Sequence, residues 1–232
     1  MANWFLGRAL AEEAKAENAP WSFLGEGAAF WVTVAVLLVV GVAVYLVTRK
    51  KSSKKSFWTA KTMAVGAMCM ALSSVLSLIK LWSMPMGGSV TPASMLPLLL
   101  FAYCYGVGPG MVLGALYGVM QFLLDGMAWA ALGAIPNLLD YPIAFGLLGL
   151  AGCFRGSKAK MTASFVLGCF GRFMASFLSG FIFYGQYAPE GVNPVWYSLT
   201  YNGSYMLVEC IICIALGLLV GERLAKELKK VA

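Results

Sequence analysis

The run "TASFVLGCFGRFMASFLSGFIFY", Thr162–Tyr184, carries one ionisable side chain, Arg172, in a stretch long enough to cross a bilayer. A spanning helix needs about 20 apolar residues, because in hydrocarbon every backbone N–H and C=O must be satisfied inside the segment. The apolar residues are continuous rather than alternating, which argues against a strand of a membrane barrel. "GSKAK" precedes the run and "GQYAPEG" follows it, both built of turn formers and polar residues. One helix crossing the membrane is the reading.

Outward from that helix the chain repeats the pattern. Of its 232 residues 60% are hydrophobic and only 12% are charged, whereas a soluble domain is about a quarter charged. Spans are expected at 58–80, 93–106, 110–124, 132–153, 162–184 and 196–221, and a further one at Ala28–Val47, "AAFWVTVAVLLVVGVAVYLV". The fold class is all-α, a polytopic membrane helix bundle with a six-helix core and one extra amino-terminal transmembrane helix. Residues 1–56 hold the extra helix and its basic linker "TRKKSSKKS", and residues 57–232 form the six-helix domain.

The net charge of +7 does not call for nucleic acid. The basic residues cluster at Arg49 to Lys61, at Arg155, Lys158 and Lys160, and at Arg223 to Lys230, each against an apolar run. That is the positive-inside pattern. It threads the chain with its amino terminus outside and its carboxy terminus in the cytoplasm of a bacterial cell. The 6 cysteines all fall in apolar stretches and read as small hydrophobes, and there is no histidine. No metal, cofactor or catalytic set is expected. An intramembrane enzyme lacks its usual bases and paired acids, and a scaffold or ion-conducting protein remains a further alternative.

Three ionisable groups fall within the later spans: Asp140, Arg172 and Glu209. Such groups mark functional or paired positions, since hydrocarbon penalises each one alone. At 1.5 Å per residue, Arg172 and Glu209 both lie about 15–20 Å from opposite ends of their helices. They are expected to meet near the midplane as a structural ion pair. Asp140, in "IPNLLDYPIAFG", lies roughly 10–12 Å from the outer end of its helix, with Pro142 just beyond it. It has no obvious basic partner at its depth and suits a cationic guest. Ser176, Gly180 and Tyr184 recur every fourth residue on one helical face. Tyr197 and Asn202 occupy the outer end of the last span, and Trp82, Gly87 and Gly88 a loop that can fold over the opening. Together they outline an aromatic-walled pocket for a small cationic, ring-bearing molecule.

The motifs "LLDYPIAFGLLGLAG", "RFMASFLSGFIFYGQYAPEG" and "YSLTYNGSYM" resemble, in order and placement, the thiamine-specific S-components of energy-coupling factor (ECF) transporters. The resemblance covers about residues 58–230. It implies capture of one vitamin in the outer half of the bundle, by a subunit with no ATPase of its own. The implied partners are a transmembrane coupling protein and two cytoplasmic ATPases. Residue by residue, it implies that Asp140, followed by Tyr141, neutralises the thiazolium. It also implies that Tyr197 and Asn202 hydrogen-bond the ligand, and that Gly180 is the glycine of the fifth core helix. Where family members can carry a histidine and a stacking tryptophan, this chain has Ser176 and Tyr184, so a thiamine precursor or another cationic heterocycle is the alternative ligand. Ala67 and Ala71 on the first core helix form a small-xxx-small face. The resemblance turns that face toward the coupling protein.

Overall fold

Thr59 starts the first helix described in the computed structural model. Its hydroxyl accepts from the Thr62 amide at 3.1 Å and satisfies one of the donors that a helix start leaves orphaned. The structure describes residues 58–84, 87–126, 134–154, 156–189 and 191–231. The expected span Ala28–Val47, its linker and Arg155 lie outside them.

Helix α1 (Ala60–Leu78) leads into a two-stranded hairpin, β1 (Trp82–Ser83) and β2 (Ser89–Val90), in which Trp82 pairs with Val90 and Ser83 with Ser89. Helix α2 (Leu96–Tyr105) corrects an expectation. Residues 93–106 read as a span, yet α2 has 10 residues and so rises only about 15 Å, half of a hydrocarbon core. It is apolar for another reason: Leu96 through Cys104 are all buried, with Leu99 and Phe101 at the centre of the bundle. Its hydrophobicity serves a protein core and not lipid.

Gly106, at φ 107°, makes the turn from α2 into α3 (Val107–Leu124), a conformation open to glycine at little cost. Helix α4 (Ala134–Gly152) changes pitch along its length. It is α-helical at Ala134–Leu138, widens to a π turn at Leu139–Ile143, and tightens to a 3-10 turn at Leu148–Gly152. Pro142 accounts for the wide turn. Its ring has no N–H and would collide with the carbonyl four residues back in a regular helix. Packing accommodates the irregularity: Gly114 and Gly118 of α3 lie against the carbonyls of Phe145 and Tyr141, where no side chain fits.

Helix α5 (Lys158–Phe183) is capped by Ser157. Helix α6 (Pro194–Leu216) is capped by Asn193, whose side-chain oxygen accepts from Val195 N at 2.8 Å. It runs through a π turn at Gly217–Gly221 into the amphipathic α7 (Glu222–Val231). Tyr105 at the end of α2 donates its phenolic proton to the Leu228 carbonyl at 2.8 Å, which ties α7 to the bundle. Among the described residues, α1, α3, α4, α5 and the stretch Pro194–Leu228 are long and apolar enough to cross a membrane. Leu72, Leu116, Phe170, Leu207 and Leu219 are exposed on their outer faces. The chain is a multi-pass helical membrane protein.

Candidate ligand-binding site

The π turn of α4 presents Asp140 to α5. Ser179 Oγ donates to Asp140 Oδ2 at 2.7 Å, and Ser176 and Tyr184 line the same cavity as the carboxylate. Among the described residues no lysine or arginine pairs with it directly. Lys80 is committed elsewhere, to both oxygens of Asp125 at 2.8 and 2.9 Å. Beside Asp140, the ring of Tyr141 meets Phe122 edge-on at 5.4 Å between centroids.

Helix α6 closes the opposite wall. Gly180 allows the approach: a Cβ there would lie 2.8 Å from Asn202 Nδ2 and closer still to Ser198 Oγ. Asn202 is held by its own helix. Its amide nitrogen donates to Ser198 O at 3.1 Å and to Ser198 Oγ at 3.2 Å, while its oxygen accepts from Tyr205 OH at 3.0 Å. What Asn202 retains for a guest is one acceptor lone pair. Tyr197, Tyr201 and Tyr205 run along the same face, their rings about 6 Å apart.

The hairpin lies across this end. Gly88 N donates to Tyr201 OH at 3.3 Å, and a Cβ on Gly88 would sit 2.7 Å from the Tyr205 ring. The cavity is lined here by Gly87, Gly88 and Ser89. Trp82, expected over the opening, is 55% exposed on β1 and is not part of the wall.

Arg172 and Glu209 do meet, at 3.9 Å between Nη1 and Oε2, a long contact for a buried pair. Glu209, 1% exposed, spends its other oxygen on the hydroxyls of Thr91 and Ser94, at 2.6 and 2.8 Å. It thereby fastens the segment after β2 to α6. The guanidinium lies 4.1 Å from the Phe145 ring centre, at cation–π range. Its Nε and Nη1 have no hydrogen-bond partner, and the side chain forms part of the cavity wall.

One cavity thus gathers Asp140, Tyr141, Ser176, Gly180, Tyr184, Tyr197 and Asn202. The cavity volume is about 120 Å³, several times the roughly 10–15 Å³ that admits one water. That is room for a small ringed molecule and too little for a folded peptide. Gln121, Asp125, Phe145 and Tyr205 also line it and were not foreseen. Gln121 falls inside the expected span 110–124 and Asp125 just past the end of α3, so the sequence offered a span and a turn there with no sign of a shared wall. Tyr205 recurs four residues after Tyr201, a spacing that signals a shared face.

A family profile described as thiamine transporter protein (Thia_YuaJ) matches residues 63–228. The chain belongs to this family. Thiamine transporter ThiT of Bacillus subtilis is 39% identical over 145 residues, 56% of this chain and 73% of that protein. ThiT of Lacticaseibacillus paracasei is 32% identical over 134 residues, 52% of this chain and 67% of the relative. The solved structure of ThiT from Listeria monocytogenes superposes with a TM-score of 0.61 at 20% identity, covering 73% of this chain and 96% of that one. The last likeness is one of fold. The family match takes in every residue of the cavity wall and leaves Ala28–Val47 outside.

Proposed function

We propose that this chain is the substrate-binding membrane subunit of a thiamine importer, and that Asp140 neutralises the thiazolium of the bound vitamin. The observation that carries the reading is a carboxylate bonded by a serine hydroxyl and, among the described residues, with no directly paired lysine or arginine, at the wall of a ring-sized cavity. A permanently cationic ring completes such a group, whereas a neutral ligand would leave its charge uncompensated in a poorly solvated place. The aromatic rings of Tyr141, Tyr184 and Tyr197 supply faces for the aminopyrimidine and thiazolium. Asn202 supplies an acceptor for the exocyclic amine.

The cavity opens to the outside, and the basic ends of α5 and α7 lie in the cytoplasm. Lys158, Lys160, Arg223, Lys226 and Lys230 at the end remote from the cavity support that orientation. The sequence carries no GxxxxGK(S/T) run that would cradle a nucleotide's phosphates. A transmembrane coupling protein and two cytoplasmic ATPases drive release, and the coupling protein docks on α1. Ala67 and Ala71 are exposed on α1, which supports close approach of a partner helix there.

Titration of the purified full chain with thiamine, followed by tryptophan fluorescence, tests the reading. Saturable quenching is expected, and Asp140→Asn weakens binding by at least about thirtyfold, the cost of leaving a buried cation unpaired. Equal binding by both forms removes Asp140 from the site. Saturation by the thiazolium or pyrimidine half alone, with thiamine excluded, replaces thiamine by a precursor.

A further inference from the structure

We propose that Ser179 is a positioning residue for ligand capture, holding the carboxylate of Asp140 in its binding geometry without touching the ligand; this rests on the thiamine reading above. Ser179 is 0% exposed and does not belong to the cavity wall, although Ser176, Gly180 and Tyr184 of the same helix do. Its hydroxyl reaches Asp140 Oδ2 at 2.7 Å, the length of a charge-assisted O–H···O bond.

The need for such a holder follows from where Asp140 stands. It sits in a π turn around Pro142, where the backbone departs from the regular helical ladder. A carboxylate on a single methylene turns freely unless one oxygen is fixed. Ser176 and Tyr184 line the cavity beside it, so a guest competes for their hydroxyls. Ser179 lies behind the wall, and a guest cannot displace it. It hydrogen-bonds a buried carboxylate oxygen and ties α5 to α4 at the level of the charge. The remaining lone pairs of the carboxylate are then the ones a cation meets.

Two full-chain variants test this, Ser179→Ala and Ser179→Cys, with two ligands: thiamine, and its neutral isostere carrying thiophene in place of thiazolium. For Ser179→Ala, thiamine binding should weaken about tenfold, the typical weight of a hydrogen bond to a charged group. Binding of the isostere should change by less than about twofold, since it makes no use of the charge. In an Asp140→Asn background the serine substitution should cost thiamine little more, because the charge it positions is gone. Ser179→Cys keeps the shape with a weaker donor and carries the same comparison, at a smaller loss, should the alanine variant not fold. Equal losses for both ligands, or losses that simply add in the double variant, would reduce Ser179 to a packing residue and overturn the proposal. An infrared arm needs no ligand: the Asp140 carboxylate band, isolated by subtraction of the Asp140→Asn spectrum, should shift in Ser179→Ala, and an unmoved band also overturns it. If the unmodified chain fails to bind thiamine while that band shifts, the vitamin is wrong and the positioning role stands.

Discussion

Gly180 carries no functional group, yet the distance between α5 and α6 hangs on it. A methyl at this position would press on Ser198 Oγ and lie 2.8 Å from Asn202 Nδ2, well inside ordinary contact. Overpacking of this kind costs about 1–3 kcal/mol, and here it falls on the amide network that fixes Asn202. Gly180→Ala is therefore expected to weaken thiamine binding by about tenfold or more, with a fall of a few degrees in unfolding temperature for a chain of this size. Calorimetric titration and a thermal scan check both, and unchanged affinity would show that α6 has slack to spare. The residue types at the cavity wall were legible in the sequence, because Ser176, Gly180 and Tyr184 share a helical face by spacing alone. What Asn202 does with its amide was not. Its donors turn back to Ser198 in its own helix, a choice set by rotamer and neighbours that no spacing encodes. Ser179 escaped for a related reason: three residues from Ser176 it is on nearly the same face, but only the position of α4 decides that it meets Asp140.

The irregular element is α4, and its irregularity aims the charge. Pro142 was visible as a break in the sequence, but the answer to it, a π turn matched to glycines on the neighbouring helix, depends on α3 presenting Gly114 and Gly118 at the same height. A proline inside a regular helix costs roughly 3 kcal/mol, so its removal need not harm the fold. Pro142→Ala restores a donor able to reach the Leu138 carbonyl, and a regular helix would rotate Asp140 relative to Phe145 by about one residue, or ~100°. The expected outcome has opposite signs: unfolding temperature unchanged or raised, thiamine affinity reduced by about tenfold or more. Loss of both together would mean that the proline stabilises the bundle and does not serve the site. Helix α2 carries the complementary lesson. An apolar window cannot tell a lipid-facing helix from a buried one, and only length separates them. With 10 residues, α2 is surrounded by the other helices, where the sequence suggested a crossing.

At the scale of the whole molecule, the cavity and the basic helix ends lie at opposite ends of the bundle, and α1 runs between them with an exposed small-residue stripe at Ala67 and Ala71. Binding and coupling are thus expected on separate surfaces. Glu209 belongs to the first: through Thr91 and Ser94 it anchors the segment behind the hairpin, which keeps the covering loop registered to the wall it covers. Neither alanine of the stripe lines the cavity. Replacing both alanines by leucine would add bulk to a face that the bundle itself does not use, so thiamine affinity of the purified subunit should stay within about twofold. Assembly with the proposed coupling protein would depend on backbones approaching closely, because lipid offers no hydrophobic drive for helix association and packing supplies it instead. Co-purification with the coupling protein and vitamin-dependent growth of a thiamine auxotroph should therefore both be lost. Growth restored at wild-type level with the leucines in place would move the docking surface off α1, and reduced thiamine affinity in the isolated subunit would show that the two surfaces are mechanically one.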